Sequence, residues 1–368
     1  MGDATVVPFA AARPKRLLVA VGRAADAALL PPLVERLRGH HRLRLLEPHP
    51  GTPLPASDAR TVHEVVSSLG PLRSRALTAL AEFGPDAVLV NGGSPEATAT
   101  ALACDDASVP LVHLGAGRVG HAVDRTARVR RRLVSDAARL HLPATGPDAS
   151  VLAAEGVPAE RVAVVGSLLQ DALTSGGPLP PPERAPSGVL LCLTADVRRS
   201  RRRRGLRQAV ELVRALRECG EPVSFAVPPW LPGDEHVRER GYALAAAGAT
   251  VLHAPTRREF VRLLADCAAL ATDCEDLHEA ACGMGLPALL LPPPAAVVRQ
   301  DAPDGCVALG APDLDATLAA LGDLAAPRRR ERGLHRVRAD GGTGSGGSAA
   351  ARVAELLRAP EVWRRLRP

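Results

Sequence analysis

The chain has 368 residues, of which 46% are apolar, 2% aromatic and 23% charged, and its formal net charge is +6 at pH 7. This composition is typical of a folded globular protein long enough for two domains, and it excludes a disordered chain. Because the small positive excess is spread over the whole length, it does not by itself indicate a nucleic-acid-binding protein.

The sequence predicts a protein without a membrane anchor. No stretch approaches the ~18 uninterrupted apolar residues of a membrane-spanning helix, and the N-terminal residues lack the pattern of a signal peptide. The seven cysteines contain no C-x-x-C pair, which favours reduced core thiols over a zinc site. We therefore expect a cytoplasmic protein that holds no metal and no cofactor.

Residues 1–15 are predicted to be an N-terminal tail, and residues 16–174 an N-terminal Rossmann-like domain. Short apolar runs alternate there with helical patterns, as expected of a parallel sheet that is buried on both faces. The predicted strands of this domain are 16–22, 43–48, 86–92, 110–116, 140–145 and 162–167.

A Pro- and Gly-rich stretch at 175–187 has no periodicity and is predicted to be a linker. The alternation then restarts, which predicts a second Rossmann-like domain over 188–339, followed by a Gly-rich loop and a helix over 340–368. The predicted fold class is thus α/β, with two doubly wound domains facing a cleft. Ligands of such folds bind at the carboxyl ends of the strands, so the cleft is the expected site.

Residues 271–291, ATDCEDLHEAACGMGLPALLL, predict a strand, a tight turn, a helix, a second turn and a strand. The first turn places Cys274, Glu275 and Asp276 at the start of the helix. A helix N-terminus favours an anion such as phosphate, but two carboxylates would oppose one.

Two interpretations of these acids stay open. The helix dipole favours acids in a first turn, and Asp273 or Asp276 is a suitable N-cap residue. The alternative is a metal site that uses Glu275, Asp276 and His278, with Glu279 as a further ligand.

The order of these motifs resembles the non-hydrolysing UDP-N-acetylglucosamine 2-epimerases, which have a two-domain GT-B-like fold. The resemblance covers about residues 16 to 358. The segments that carry it are VGRAADAALLPPLVERL (21–37), FGPDAVLVNGGSPEATATALA (83–103), VPLVHLGAGRVG (109–120), RVAVVGSLLQDAL (161–173) and DCEDLHEAACGMGLPALLL (273–291).

The resemblance implies a demanding reaction on a nucleotide sugar. UDP is eliminated across C2–H and C1–O and then added back, which requires acid/base groups on both sides of C2 and a cradle for the pyrophosphate. Two acids that the family pattern places after first-domain strands fall on Gly93 and Gly115. The histidine of the second domain's first loop falls on Asp196. The resemblance therefore implies a retained scaffold with a rewritten site.

The candidate site residues are substitutes near the family positions. The candidate acid/base residues are Asp26, Glu96 and Asp196, and the candidate nucleotide-sugar contacts are Arg23, Arg198, Asp273 and Glu279. The leading hypothesis is a family member that is impaired in standard epimerisation. It would bind a nucleotide sugar weakly, as a homodimer, or form a heterodimer with a related active epimerase.

Two other functions remain open. The first is an active nucleotide-sugar epimerase or GT-B-type transferase whose acids have moved to Asp26, Glu96, Asp196 or Asp276. The second is nucleic-acid binding through the arginine runs at 125–139 and 196–208. Neither run has the interleaved aromatic residues that stack on bases, so a solvated protein face is the favoured interpretation of both runs.

Overall fold

The computed structural model describes residues 14–22, 28–47, 66–118, 125–174, 179–193, 202–230, 235–253, 255–291, 300–302, 306–308, 314–326 and 348–366.

The first sheet has five parallel strands in the order β2-β1-β3-β4-β5. Its central strands are apolar runs covered by helices on both faces, as the sequence pattern predicts. The strands are β1 (Arg16–Ala20), β2 (Arg42–Leu46), β3 (Ala87–Asn91), β4 (Leu111–Leu114) and β5 (Leu140–Leu142). The helices between and after them are α1 (Pro31–Arg38), α2 (Gly70–Phe83), α3 (Pro95–Asp106), α4 (Arg125–Ala137) and α5 (Gly146–Ala154).

The predicted strand at 162–167 is wrong. Val162 makes a single bridge to His141, and the N–H groups of Ala163 and Val165 donate to the carbonyls of His141 and Pro143, but no strand forms. The carbonyl of Val165 accepts instead a hydrogen bond from the Arg352 guanidinium at 2.6 Å. Because this carbonyl is bonded to a side chain, the segment runs past the sheet edge and leads directly into α6 (Leu168–Thr174).

The second sheet has seven strands in the order β11-β12-β10-β9-β6-β7-β8, and only its edge strand β11 is antiparallel to its neighbour. The strands are β6 (Val189–Cys192), β7 (Val223–Ala226), β8 (Thr250–Leu252), β9 (Ala269–Thr272), β10 (Ala288–Leu290), β11 (Gln300–Ala302) and β12 (Cys306–Ala308). Its helices are α7 (Arg202–Glu218), α8 (Glu235–Ala246), α9 (Arg257–Asp266), α10 (Glu275–Gly283) and α11 (Leu314–Ala325). The predicted fold class, two Rossmann-like α/β units, is confirmed.

The C-terminal helices return to the first sheet. Helices α12 (Ala349–Arg358) and α13 (Pro360–Leu366) pack into the same apolar core as α1, β1 and β3. The buried carboxylate of Asp171 in α6 accepts a hydrogen bond from the backbone N–H of Ala350, at 2.7 Å. The end of the chain is therefore anchored both by apolar packing and by a carboxylate at the N-terminus of α12.

The prediction of reduced core thiols is confirmed for Cys104, Cys192 and Cys267, which are free and buried. It is wrong for Cys219, which is exposed, and for Cys282, which is disulfide-bonded. Burial raises the pKa of the Cys104 thiol to about 12, so this thiol is inert at neutral pH. The free cysteines in the described ranges are Cys104, Cys192, Cys219, Cys267 and Cys274.

None of the helices in the described ranges combines the length and the apolar character that a bilayer crossing requires.

We expect the substitution Asp171→Ala to lower the free energy of unfolding by about 1–3 kcal/mol, because it leaves the buried N–H of Ala350 without its acceptor. Asp171→Asn retains an acceptor oxygen and should cost less. Urea unfolding of both variants measures the difference. Equal stability of Asp171→Ala and the wild-type chain would contradict this account of the anchor.

Candidate functional site

The carboxyl ends of the first-sheet strands border a recess of about 310 Å³ of empty space, including space open to solvent. Most of its wall comes from the ends of β3, β4 and β5 and from α6, and one wall residue, Asp276, comes from α10 of the second sheet. This is the position where ligands of doubly wound folds bind. Its polar wall residues are Asn91, Arg118 and Asp276.

Arg118 joins the two halves of the molecule at this recess. It lies in the loop after β4, and its guanidinium donates hydrogen bonds to the carboxylates of Asp276 and Glu279. The Arg118 and Glu279 side chains are only 17% and 12% exposed, whereas that of Asp276 is 41% exposed. One guanidinium therefore bridges two carboxylates of α10, and the bridge is largely shielded from water.

The carboxylates around Arg118 keep it charged. Burial acts to lower the pKa of the Arg118 guanidinium, but Glu279, Asp148 and Glu275 outweigh burial and hold that pKa above its ordinary value. Burial raises the pKa of the Glu279 carboxyl, although Arg118 opposes this shift. Neither charge would be stable at this depth without the other.

A second arginine faces the same turn. The Arg131 guanidinium in α4 lies 3.7 Å from the Glu275 carboxylate. The N-cap residue of α10 is Cys274, and its side chain makes no capping hydrogen bond. The prediction that Asp273 or Asp276 caps this helix is therefore wrong, because the helix begins at Glu275 and Asp276 already lies in its first turn.

The arginine run at 125–139 is not simply a solvated helix face, so that prediction is wrong for two of its members. Arg130 donates from Nε to the carbonyl of Gly93 at 3.2 Å, and Arg131 faces Glu275. Arg132 fits the prediction, since its side chain is 51% exposed. Helix α4 thus packs its arginines onto the loop that follows β3.

The two glycines at expected acid positions do not readily accept a side chain, Gly93 for lack of space and Gly115 because of its backbone conformation. A Cβ atom on Gly93 would lie 2.5 Å from Cγ of Arg131 and 3.0 Å from its Cα. Gly115 has φ of +63°, a conformation that residues other than glycine rarely adopt, and a Cβ atom there would lie 3.3 Å from Oδ1 of Asn91. The local packing therefore excludes carboxylates at both positions unless α4 and the β4 loop move.

The predicted site residues do not all meet in this recess. Glu279 binds Arg118 of its wall, and Asp273 lies between the end of β9 and the start of α10. Glu96 lines a separate recess of about 290 Å³ beside Glu47 and Arg75, and within the described part of the chain its Oε2 is buried without a hydrogen-bond partner. Arg23, Asp26, Asp196 and Arg198 lie outside the described residues.

The metal alternative is not supported. In the described ranges no three His, Cys, Asp or Glu side chains converge in a way that could hold a metal ion. The acids of the α10 turn have arginine partners instead.

Sequence reasoning missed Arg118 and Arg131, the two cations that the α10 acids face. Arg118 lies inside the segment 109–120 that carries the resemblance, only three residues after Gly115. Two carboxylates in a turn at a cleft require counter-charges, and that requirement was the available signal. Nothing in the local sequence, however, shows which of many arginines supplies them.

His113 in β4 is a core histidine and not a base of the site. Its Nε2–H donates to the carbonyl of Gly92 at 3.1 Å, and the Ser135 hydroxyl lies 3.4 Å from Nδ1. Burial, assisted by His141, lowers the pKa of His113 to about 3. The ring is therefore neutral at physiological pH and a weak base.

This burial predicts a pH dependence of stability. Below about pH 6.5 the unfolded chain protonates His113 and the folded chain does not, so the free energy of unfolding falls as the pH falls, by about 1.4 kcal/mol per pH unit. We expect His113→Gln, which retains a donor to Gly92, to reduce the slope between pH 6 and pH 5 by about that amount. Urea unfolding at both pH values measures it, and an unchanged slope would show that His113 is protonated in the folded state.

Comparisons with known proteins identify the family. The sequence profile described as UDP-N-acetylglucosamine 2-epimerase matches residues 53–333. A curated relative, the probable UDP-N-acetylglucosamine 2-epimerase of Ralstonia solanacearum, is 31% identical over 182 residues, which cover 44% of this chain and 48% of the relative. The match thus spans about half the length of that relative.

Solved structures share the fold. The chain superimposes on the Neisseria meningitidis UDP-GlcNAc 2-epimerase bound to UDP-GlcNAc with a TM-score of 0.69 at 18% identity, over 93% of this chain and 99% of the other. For the Methanocaldococcus jannaschii UDP-GlcNAc 2-epimerase in complex with UDP-GlcNAc and UDP, the TM-score is 0.64 at 16% identity, over 88% and 99%. The predicted resemblance is confirmed, and this chain belongs to the UDP-N-acetylglucosamine 2-epimerase family.

Proposed function

We propose that this member of the family is strongly impaired in standard 2-epimerisation and that its cleft binds a nucleotide sugar only weakly. The packing of Arg131 against Gly93 is the observation that carries the proposal. An acid expected at this position is not merely substituted, because the backbone and side chain of α4 occupy the space that it would need.

The loss of acids has a large expected effect on rate. Each acid/base group contributes roughly 10²–10⁴ to a rate, although such contributions do not multiply independently. With glycine at positions 93 and 115, the first-domain side of the cleft lacks two of these acid/base groups. The reaction would then depend on relocated acids.

The structure gives relocated acids little support. Asp276 is engaged by Arg118, and Glu96 lines a second recess, at the ends of β1 and β2, that shares no lining residue with the first. Of the four residues that an active epimerase or transferase would use, these are the two that lie in the described ranges. The impaired function is therefore favoured over the active alternative.

The nucleotide sugar is proposed as ligand on the basis of the relatives. The solved structures from Neisseria meningitidis and Methanocaldococcus jannaschii contain UDP-GlcNAc. In this chain the acids of the α10 turn weaken the site for a diphosphate, because a carboxylate ~4 Å from a phosphate charge costs about 1 kcal/mol in water and about 4 at a protein surface.

A retained fold with an altered site also fits two kinds of assembly. The protein would be the partner of an active epimerase in a heterodimer, or it would form a homodimer with a binding function. Mixing the chain with an active family member and measuring the epimerisation rate and the elution volume tests the partner role. An unchanged rate and separate elution would count against it.

We expect no exchange of the C2 hydrogen when UDP-GlcNAc is incubated in deuterated buffer with a high concentration of this protein, because elimination needs a base at C2. Proton NMR of the sugar measures the exchange, with an active family member as positive control. Exchange at a rate near that of the control would refute the proposed impairment.

We expect Gly93→Ala to lower the free energy of unfolding by about 1–3 kcal/mol, because the added Cβ forces α4 away from the β3 loop. The matched control is Gly70→Ala in the first turn of α2, where a Cβ atom meets nothing within 4 Å. Urea unfolding compares the two variants. If Gly93→Ala is as stable as Gly70→Ala, the position has space for a side chain and the steric argument fails.

A further inference from the structure

The ion pairs of Arg118 connect the two halves of the molecule directly. Arg118 follows β4 of the first sheet, whereas Asp276 and Glu279 belong to α10, which follows β9 of the second. The Arg131–Glu275 contact, at 3.7 Å, likewise joins the half that contains the first sheet to α10. All three acids lie in the first five residues of α10, so they form one face that meets two arginines.

This arrangement has the chemistry of an occupied anion site. A guanidinium binds the oxygens of a carboxylate or of a phosphate with the same fork of N–H donors. The N-terminus of a helix such as α10 favours negative charge. In this chain the negative charge near both features comes from α10 itself, because the Asp276 and Glu279 oxygens take the donors of Arg118.

We propose that Asp276 and Glu279 act as a built-in anionic occupant of the cleft: with the apolar packing of α6 against α10, they hold the two domains together through Arg118 without ligand, and a diphosphate-bearing ligand binds by displacing them. The inference rests on the nucleotide-sugar binding proposed above for the class of its ligand, but not on the impaired catalysis, since it concerns what closes the cleft and not what happens at C2 of a sugar.

The charge balance supports competition between the acids and a ligand. Three carboxylates of α10 face the guanidiniums of Arg118 and Arg131, and Asp148 also acts on Arg118. The described cluster thus has more negative than positive charges before a ligand arrives. A diphosphate cannot simply join it, because the like charges repel, so Arg118 must exchange one set of oxygens for the other.

The test neutralises the two carboxylates with near-isosteric amides, in the double variant D276N/E279Q. The matched control is E82Q/E183Q, which changes the net charge equally. It does so at two exposed ion pairs, Arg44–Glu82 at 2.8 Å and Arg262–Glu183 at 3.2 Å, whose residues do not line the cleft recess. Small-angle X-ray scattering of the full chain without ligand measures opening of the cleft, and calorimetry measures the Kd of UDP and of inorganic pyrophosphate.

We expect D276N/E279Q to have a larger radius of gyration than the wild-type chain and to bind UDP and pyrophosphate at least roughly tenfold more tightly. E82Q/E183Q should match the wild-type chain in both respects. The proposal is wrong if the double variant keeps the wild-type radius, or if its affinity gain does not exceed that of the control.

The single variant D276N keeps the proposal testable if the double variant does not fold. Asp276 is the more exposed of the two acids, and D276N should give a smaller change in the same direction. No change in D276N, with wild-type stability, would equally overturn the proposal. The C2 exchange assay on the unmodified chain remains a separate test, so failure of one proposal does not imply failure of the other.

Discussion

A guanidinium that is largely shielded from water needs counter-charges, and Arg118 finds them on the opposite domain. Its position after β4 places it at the carboxyl edge of the first sheet, and the two acids that satisfy it lie in the first turns of α10, at the carboxyl edge of the second. The cost of burying these charges is offset only when both sides are present. The two sheets therefore meet at this cleft through ion pairs that neither half can make alone, in addition to the apolar packing of α6 against α10.

The same region shows how packing, and not only residue substitution, changes a site. Helix α4 lies so close to the β3 loop that Arg130 bonds the carbonyl of Gly93 and Arg131 fills the space above it. Glycine permits this approach because it has no Cβ. An acid at that position would require a shift of α4, which in turn would disturb the Arg131–Glu275 contact. Gly93, Arg131 and Glu275 therefore depend on one another, because a side chain at position 93 would displace the helix that carries Arg131.

Much of the fold could be predicted because its signals are local. Buried parallel strands appear as short apolar runs, and the strand–helix–strand unit at 271–291 was predicted correctly from periodicity and turn residues. The strand predicted at 162–167 failed because the fold bonds the Val165 carbonyl to Arg352, nearly two hundred residues away. The short polar strand β11 has no apolar run and could not be distinguished from a loop.

The candidate site, like the fold, could be predicted from the sequence only in part. The residue types in the α10 turn and at Gly93 and Gly115 were by themselves sufficient to show that this chain departs from the family's pattern of acids at those positions. The structure decided what those residues do: it paired Asp276 and Glu279 with Arg118, separated Glu96 into another recess, and closed the space at Gly93. Composition and periodicity report the burial and the conformation of each segment, because these depend on near neighbours. Which charge meets which depends on how segments far apart in the chain pack together, and only the tertiary structure contains that information.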